Sequence, residues 1–399
     1  MPNKVTLKAV IVGDLDSLRS FTNDLPTVLI TDRAEAIRSR WCKEWRLLPK
    51  GYAADLLLST LVALGKASDN PMILFYGDDA TLLLISRNRV ELSRYYQFLL
   101  PPEDLIEACT SKSEFADLAV ARGLPAPRQL ASPDCRSPGE IEGKLDFPVI
   151  LKPGLHIGWH EFMSTRHPEQ EPAKVLLANN MQEFTSAYHI ISRFSPDFVV
   201  QEYINGGEDS IYSFHTYVSK EGVPLTWYVG KKIRTYPTRA GESSCIELVY
   251  DDEVVRLGLD IIQKLDVVGP VKIDFKKDAV KSKYYLLELN LRFNLWNHLG
   301  TACGINLPQV AYHDICDLDY RIDHEYSTGM RWINFVLDAK AYFTELRPAG
   351  LMGFGTWLHS LMGPKVCHVF SWRDPYPFVY FCITRVIHKA RAAISHGKT

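Results

Sequence analysis

Two strand-like runs, Val271–Lys276 and Tyr284–Arg292, flank a polar connector at 277–283 and together read as an antiparallel hairpin. Side chains alternate along a strand, so Ile273, Phe275, Leu287 and Leu289 are expected on one apolar face. The other face then carries Asp274, Glu288 and Asn290, with Asp274 opposite Glu288 and Asn290 two residues further on. Two carboxylates set against each other repel unless a cation lies between them. Two carboxylates and an amide oxygen are hard donors, of the kind Mg²⁺ takes when it also binds substrate phosphates. The plainer reading of this hairpin is a solvated polar face, so the rest of the chain has to decide.

The chain has 399 residues, 46% hydrophobic and 23% charged, enough for two or three domains with a sizeable core. A formal net charge of −2 gives no electrostatic case for nucleic acid or an anionic membrane as partner. The eight cysteines form no Cys-x-x-Cys pair and no zinc spacing, and read as buried free thiols of a reducing cytosol. Met-Pro-Asn-Lys lacks the apolar segment of a signal peptide, and the apolar stretches Leu56–Leu64 and Phe378–Ile387 are too short to span a bilayer. A cytoplasmic location is the expectation.

Val5–Val12, Thr27–Thr31 and Met72–Tyr76 read as strands, with a helical run at Leu56–Leu64, which predicts a small open parallel sheet. The first turn has one glycine, Gly13, where a dinucleotide turn needs three. Asp14, Asp32, Asp78 and Asp79 fall at strand ends, as helix caps or as ligand-facing groups. Pro101-Pro102 marks a break. Ser111 and Glu114 form a capping box for a helix ending at Gly123, with Lys112 in its first turn, a poor place for a cation unless it meets an anion. Phe147–Leu151 is a strand running into Lys152-Pro153-Gly154, followed by a loop at Leu155–Thr165. Lys174–Ala178 reads as a strand, Asn180–Phe194 as a helix capped through Glu183, and Phe198–Ile204 as a strand carrying Glu202. Ile211–Val218 and Leu225–Lys231 form a predicted antiparallel pair, leading into the basic stretch Lys231, Lys232, Arg234 and Arg239. Asp252–Leu265 has helical spacing and delivers the chain to the central hairpin.

In this order the pieces resemble the ATP-grasp superfamily over roughly residues 5–315, by pattern. The most specific stretches are Leu286–Arg292 and Val200–Asp209. Within the superfamily the chain is similar to amino-acid ligases of the D-aspartate ligase type, and more distantly to biotin carboxylase and carbamoyl-phosphate synthetase. The resemblance implies an α/β and α+β ATP-grasp fold: a Rossmann-like pre-ATP-grasp domain at 1–105, an ATP-grasp domain at 106–320 with a mobile lid at about 147–205, and a C-terminal extension at 321–399.

It also implies roles. Lys112 and Lys152 would hold ATP phosphates. Glu202, Tyr203 and Ile204 would line the adenine pocket, and Glu208 or Asp209 would take the ribose. Lys231 or Lys232 would reach phosphate. Asp274, Glu288 and Asn290 would hold two Mg²⁺, with Mn²⁺ as an alternative ion. Arg292, with Arg234 or Arg239, would clamp the substrate carboxylate. Three departures stand out: a glycine-poor loop at Gly154–Thr165, Leu291 where many members have Pro, and Asp274 in place of a Glu.

The function expected from the resemblance is an ATP- and Mg²⁺-dependent carboxylate–amine ligase. It would act on small-molecule acids and amines through an acyl phosphate and release ADP and phosphate. The alternatives are a bicarbonate-activating carboxylase and a degenerate ATP-binding scaffold. Trp332, Trp357 and Tyr376 in the C-terminal part read as a substrate cover, a homodimer face or an ordinary second core.

Overall fold

The computed structural model describes residues 6–21, 25–154, 159–166, 175–238, 241–320 and 322–396. The chain divides into two compact units, one of Met1–Leu100, Arg292–Trp332 and Lys365–Thr399, the other of Pro101–Leu291 and Ile333–Pro364. Of the C-terminal part, residues 333–364 fall in the second unit and the rest in the first.

In the first unit, β1 (Ala9–Val12), α1 (Leu15–Arg19), β2 (Thr27–Thr31), β3 (Glu44–Leu47), α2 (Ala54–Lys66), β4 (Met72–Tyr76), α3 (Asp79–Arg87), α4 (Arg89–Leu92) and β5 (Tyr96–Gln97) follow in order. The strands form the expected parallel sheet, in the order β3-β2-β1-β4-β5. β1, β2 and β4 are buried throughout, as the unbroken apolar runs require of a sheet covered on both faces. The edge strand β3, exposed along its length, carries Glu44-Trp-Arg-Leu and lacks the apolar run that would reveal it in sequence. Asp14 and Asp78 cap α1 and α3 through the amides of Ser17 and Thr81.

The second unit opens with α5 (Glu103–Thr110) and α6 (Lys112–Ala121), the latter capped by Ser111 as read from sequence. A four-stranded antiparallel sheet follows: β6 (Gln129–Ala131), β7 (Val149–Pro153), β8 (Leu176–Ala178) and β9 (Phe198–Glu202), in the order β6-β9-β7-β8. α7 (Trp159–Arg166) stands where a loop was expected, and α8 (Met181–Phe194) has the expected Asn180 and Glu183 caps. Val149, Leu151, Phe184, Ile191 and Val200 form the core beneath this sheet. The first strand of this sheet starts at Gln129. Gly158 and Lys174 lie outside the described residues.

The larger antiparallel sheet is built from β10 (Ile211–Val218), β11 (Pro224–Tyr236), β12 (Glu242–Val249), β13 (Gly269–Lys277) and β14 (Tyr284–Asn290), in the order β14-β13-β10-β11-β12. α9 (Asp252–Leu265), capped by Asp251, buries Val254, Ile261, Ile262 and Leu265. Its Gly258 lies against Phe214 of β10 so closely that an added Cβ would meet the ring at 2.4 Å.

Candidate active site

The central hairpin forms in the expected register, with Asp274 paired to Glu288 and Lys272 to Asn290. One detail differs. A bulge between Asp274 and Phe275 pairs Phe275 with Leu286, so Leu286 and Leu289 are buried and Leu287 is only half-buried. Strict alternation cannot anticipate a bulge, which inserts one unpaired residue and shifts the faces beyond it.

The polar face is broader than the three residues read from sequence. Ser213 on β10 sits opposite Asp274 and donates its hydroxyl to that carboxylate. Lys272, two residues before Asp274, places its ammonium 2.7 Å from the other carboxylate oxygen. Lys112, at the start of α6, lies 3.3 Å from Glu288, and Asn290 donates to Glu288 at 3.3 Å. Glu288 is held well below the usual carboxylate range: burial would raise it, and the charges of Lys112 and Lys272 reverse that. Its side chain keeps 40% exposure, enough to meet a ligand.

Lysines dominate the remainder. Lys152, at the end of β7, is pushed down to about 7 by burial and by repulsion from Lys112 and Lys276, with Glu288 opposing. Lys276 sits over the Tyr203 ring at 5.0 Å. Burial lowers it, and Glu208, Asp278 and Asp209 pull it back up. Lys272 and Lys276 were missed in the sequence, although each lies two residues from Asp274, the spacing that puts side chains on one strand face.

Among the other expected site residues, Glu202 is engaged by Arg128 at 3.3 Å and Lys281 at 3.4 Å. The amides of Glu202 and Tyr203 bond to the Arg128 and Pro148 carbonyls, and Ile204 is buried. Adjacent lysines of β11 point apart. The charge of Lys232 bears on Glu288, whereas Lys231 lies over the Tyr212 ring at 5.5 Å, away from that face.

Arg234 departs most from expectation. A register shift between Lys232 and Arg234 breaks the alternation that would set the two on one face. Arg234 instead forms a buried fork with Asp338, at 2.7 and 3.1 Å, which Ser244 and Trp357 also hold. This pairing, at an arginine almost wholly buried, sets it against a role as a free clamp for substrate. Arg239 lies outside the described residues.

The first unit holds Arg292, which makes a fork to Asp79 at 2.6 and 3.1 Å and reaches the Gly77 carbonyl at 3.4 Å. It also contains a buried cluster absent from the sequence reading. Asp16 of α1 accepts from Trp332 at 3.2 Å and bonds His298 at 2.9 Å and His368 at 2.5 Å. Burial would lower His368, but Asp16 outweighs it and holds the imidazole at about 9. Burial likewise would raise Asp16, but the two histidines hold it near 2. Trp332 is thus a core residue, Trp357 is half-buried, and Tyr376 is exposed. Cys382 is exposed as well, contrary to the expectation that every thiol is buried.

Comparison with known proteins agrees with this architecture. No protein-family model matches the chain. D-aspartate ligase of Enterococcus faecium (strain Aus0004) is 24% identical over 276 residues, covering 66% of this chain and 64% of that protein. The chain therefore matches just under two thirds of that relative's length. Biotin carboxylase from Campylobacter jejuni, solved as a complex with ATP, superposes with a TM-score of 0.63 at 11% identity, over 82% of this chain and 74% of its own. N5-carboxyaminoimidazole synthetase from Staphylococcus aureus gives 0.60 at 12%, over 82% and 81%. L-amino acid ligase from Bacillus licheniformis gives 0.55 at 15%, over 78% and 75%. Fold, strand register and these likenesses converge: the chain shares the ATP-grasp fold of these solved structures and is similar to D-aspartate ligase.

Proposed function

We propose that this protein is an ATP- and Mg²⁺-dependent carboxylate–amine ligase that activates an acid, such as an amino acid, as an acyl phosphate and joins it to an amine. The observation that carries the reading is the convergence of Lys112, Lys152 and Lys276 beside Glu288. Three ammonium groups, two of which repel the third and help depress it to about 7, form a site poised for a polyanion. A nucleotide triphosphate supplies the missing negative charge.

Asp274, Glu288 and Asn290 fit a hard divalent cation. They offer oxygen donors on adjacent strands, and the two carboxylates already hold ammonium groups where positive charge is wanted. Bound Mg²⁺ would neutralise phosphate charge and act as a Lewis acid there. The chain's own residues do the rest. Lys112 and Lys152 bind and orient phosphate, with Lys232 and Lys276 in support. Tyr203 and Ile204 border the slot for the base, and Glu208 or Asp209 takes the ribose. Arg292 exchanges Asp79 for the substrate carboxylate. The lid built on β7 and β9 excludes water from the acyl phosphate. Such catalysis is mostly positioning and charge neutralisation.

Phosphate and nucleotide release across a panel of acid–amine pairs tests the proposal. ADP and phosphate formed only when both acid and amine are present is the expected result; AMP and pyrophosphate would refute it. Biotin carboxylase and N5-carboxyaminoimidazole synthetase among the structural neighbours favour a second reading, bicarbonate activation. ADP release driven by bicarbonate without an amino acid would select that reading.

A further inference from the structure

The helix Tyr376–His396 is oriented contrary to the rule for a surface helix. Tyr376, Val379, Ile383 and Val386 recur along it at spacings of three, four and three, the pattern that normally faces a core, with Trp372 in the turn just before the helix. Here every one of them is exposed: Trp372 88%, Tyr376 69%, Val379 49%, Ile383 53% and Val386 68%. The opposite side supplies the packing. Pro377 is buried, Tyr380, Phe381 and Thr384 are half-buried, and Arg38 lies over the Tyr380 ring at 5.0 Å.

The root of the helix is pinned. Asp374 is fully buried, pairs with Arg19 at 3.3 Å and accepts from Ser39 at 2.8 Å. Arg19 also donates to the carbonyls of Cys367, His368 and Val369. The apolar stripe is therefore held out on a fixed base.

Charge says what covers it. From Pro375 to Thr399 the sequence has Arg385, Lys389, Arg391 and Lys398 and no acidic residue. That is +4 within a chain of net −2, so the remainder carries −6. The whole-chain value that argued against an anionic surface averages two opposite regions. A second copy of the helix would bring another four positive charges against these with no acid on either helix to pair them, whereas paired helices use opposite charges at their flanks. An exposed apolar stripe on a helix with only basic charge matches the headgroup region of an anionic bilayer, where apolar side chains enter and basic ones stay with the phosphates. No helix among the described residues is long and apolar enough to cross a membrane.

We propose that the helix Tyr376–His396 docks this enzyme on an anionic phospholipid surface, lying in the interface with the Trp372–Val386 stripe inserted. Sedimentation of the full chain with vesicles of phosphatidylcholine alone, or with one quarter phosphatidylglycerol, tests it. Binding to the anionic vesicles only is expected, weakening in high salt and by about fivefold for Arg385→Ala. Trp372→Phe should remove a vesicle-induced blue shift of tryptophan fluorescence. The double variant Ile383→Glu/Val386→Glu should lose more than about tenfold in binding, and since both side chains are exposed its circular dichroism and melting temperature should stay at wild-type values. Absence of binding to anionic vesicles, or binding unaffected by the two glutamates, overturns the proposal. So does a concentration-dependent dimer that the glutamates dissociate while vesicle binding is absent, which would assign the stripe to a second copy.

Discussion

Lys152 offers a test of the site through the proton it carries. Burial and the neighbouring charges of Lys112 and Lys276 place it at about 7 in the free protein. Bound polyphosphate reverses both effects, returning the ammonium toward its ordinary value near 10.4. At pH 8 a group titrating at about 7 is about one-tenth protonated, so ATP binding should take up about 0.9 proton. The uptake should fall to about 0.5 at pH 7 and about 0.1 at pH 6. Linkage then requires ATP affinity to weaken about fivefold between pH 7 and pH 8. Calorimetric titration in buffers of different ionisation enthalpy reads the uptake directly. Lys152→Arg keeps the charge at every pH and should abolish both the uptake and the fivefold loss. Negligible uptake by the wild type at pH 8, or the same uptake in Lys152→Arg, would refute the placement of Lys152 against phosphate.

Three further outcomes follow from the same geometry. Glu288→Gln and Asn290→Ala should each lower ligase turnover by at least about a hundredfold in a phosphate-release assay, because these groups serve charge on the ligand. Arg234→Ala should instead cost about 3–5 kcal/mol in chemical denaturation, because it leaves Asp338 buried without its partner. Asp16→Asn should cost about 2–3 kcal/mol near pH 6, a figure set by His368 held at about 9 and Asp16 held near 2. The raised His368 contributes fully below its unfolded value of 6.5 and loses its contribution as pH climbs through about 9, while the depressed Asp16 contributes fully above 3.8 and loses it as pH falls through about 2. Denaturation midpoints that decline from pH 6.5 to 9 in the wild type but not in Asp16→Asn, with His368 followed by NMR, check the sign.

Much of this protein can be read along the chain wherever a local rule is complete. The runs at Thr27–Thr31 and Met72–Tyr76 are long enough and apolar enough to be nothing but buried strands, and both occur as read. The caps at Ser111, Asn180 and Asp251 are encoded within four residues. The pairing of Asp274 with Glu288 follows from two strands and a connector between them. In each case the partners are close in sequence or related by one hairpin, so pattern and geometry agree.

What needed the tertiary structure is everything set by residues far apart in the chain. Arg234 and Asp338, 104 residues apart, become an ion pair because a shift of register turns the arginine inward. Asp16 meets His298, Trp332 and His368, between 282 and 352 residues away, and becomes the hub of a buried cluster. Lys152 acquires its depressed state, and Lys112 its pairing, only when a helix start and a strand end converge on Glu288. The helix Tyr376–His396 has a stripe that sequence alone would send to a core, and only its packing partner shows which side remains for something else to cover. Residue type and period specify what a side chain is able to do, but its protonation and its partners come from the dielectric and the charges that folding assembles around it.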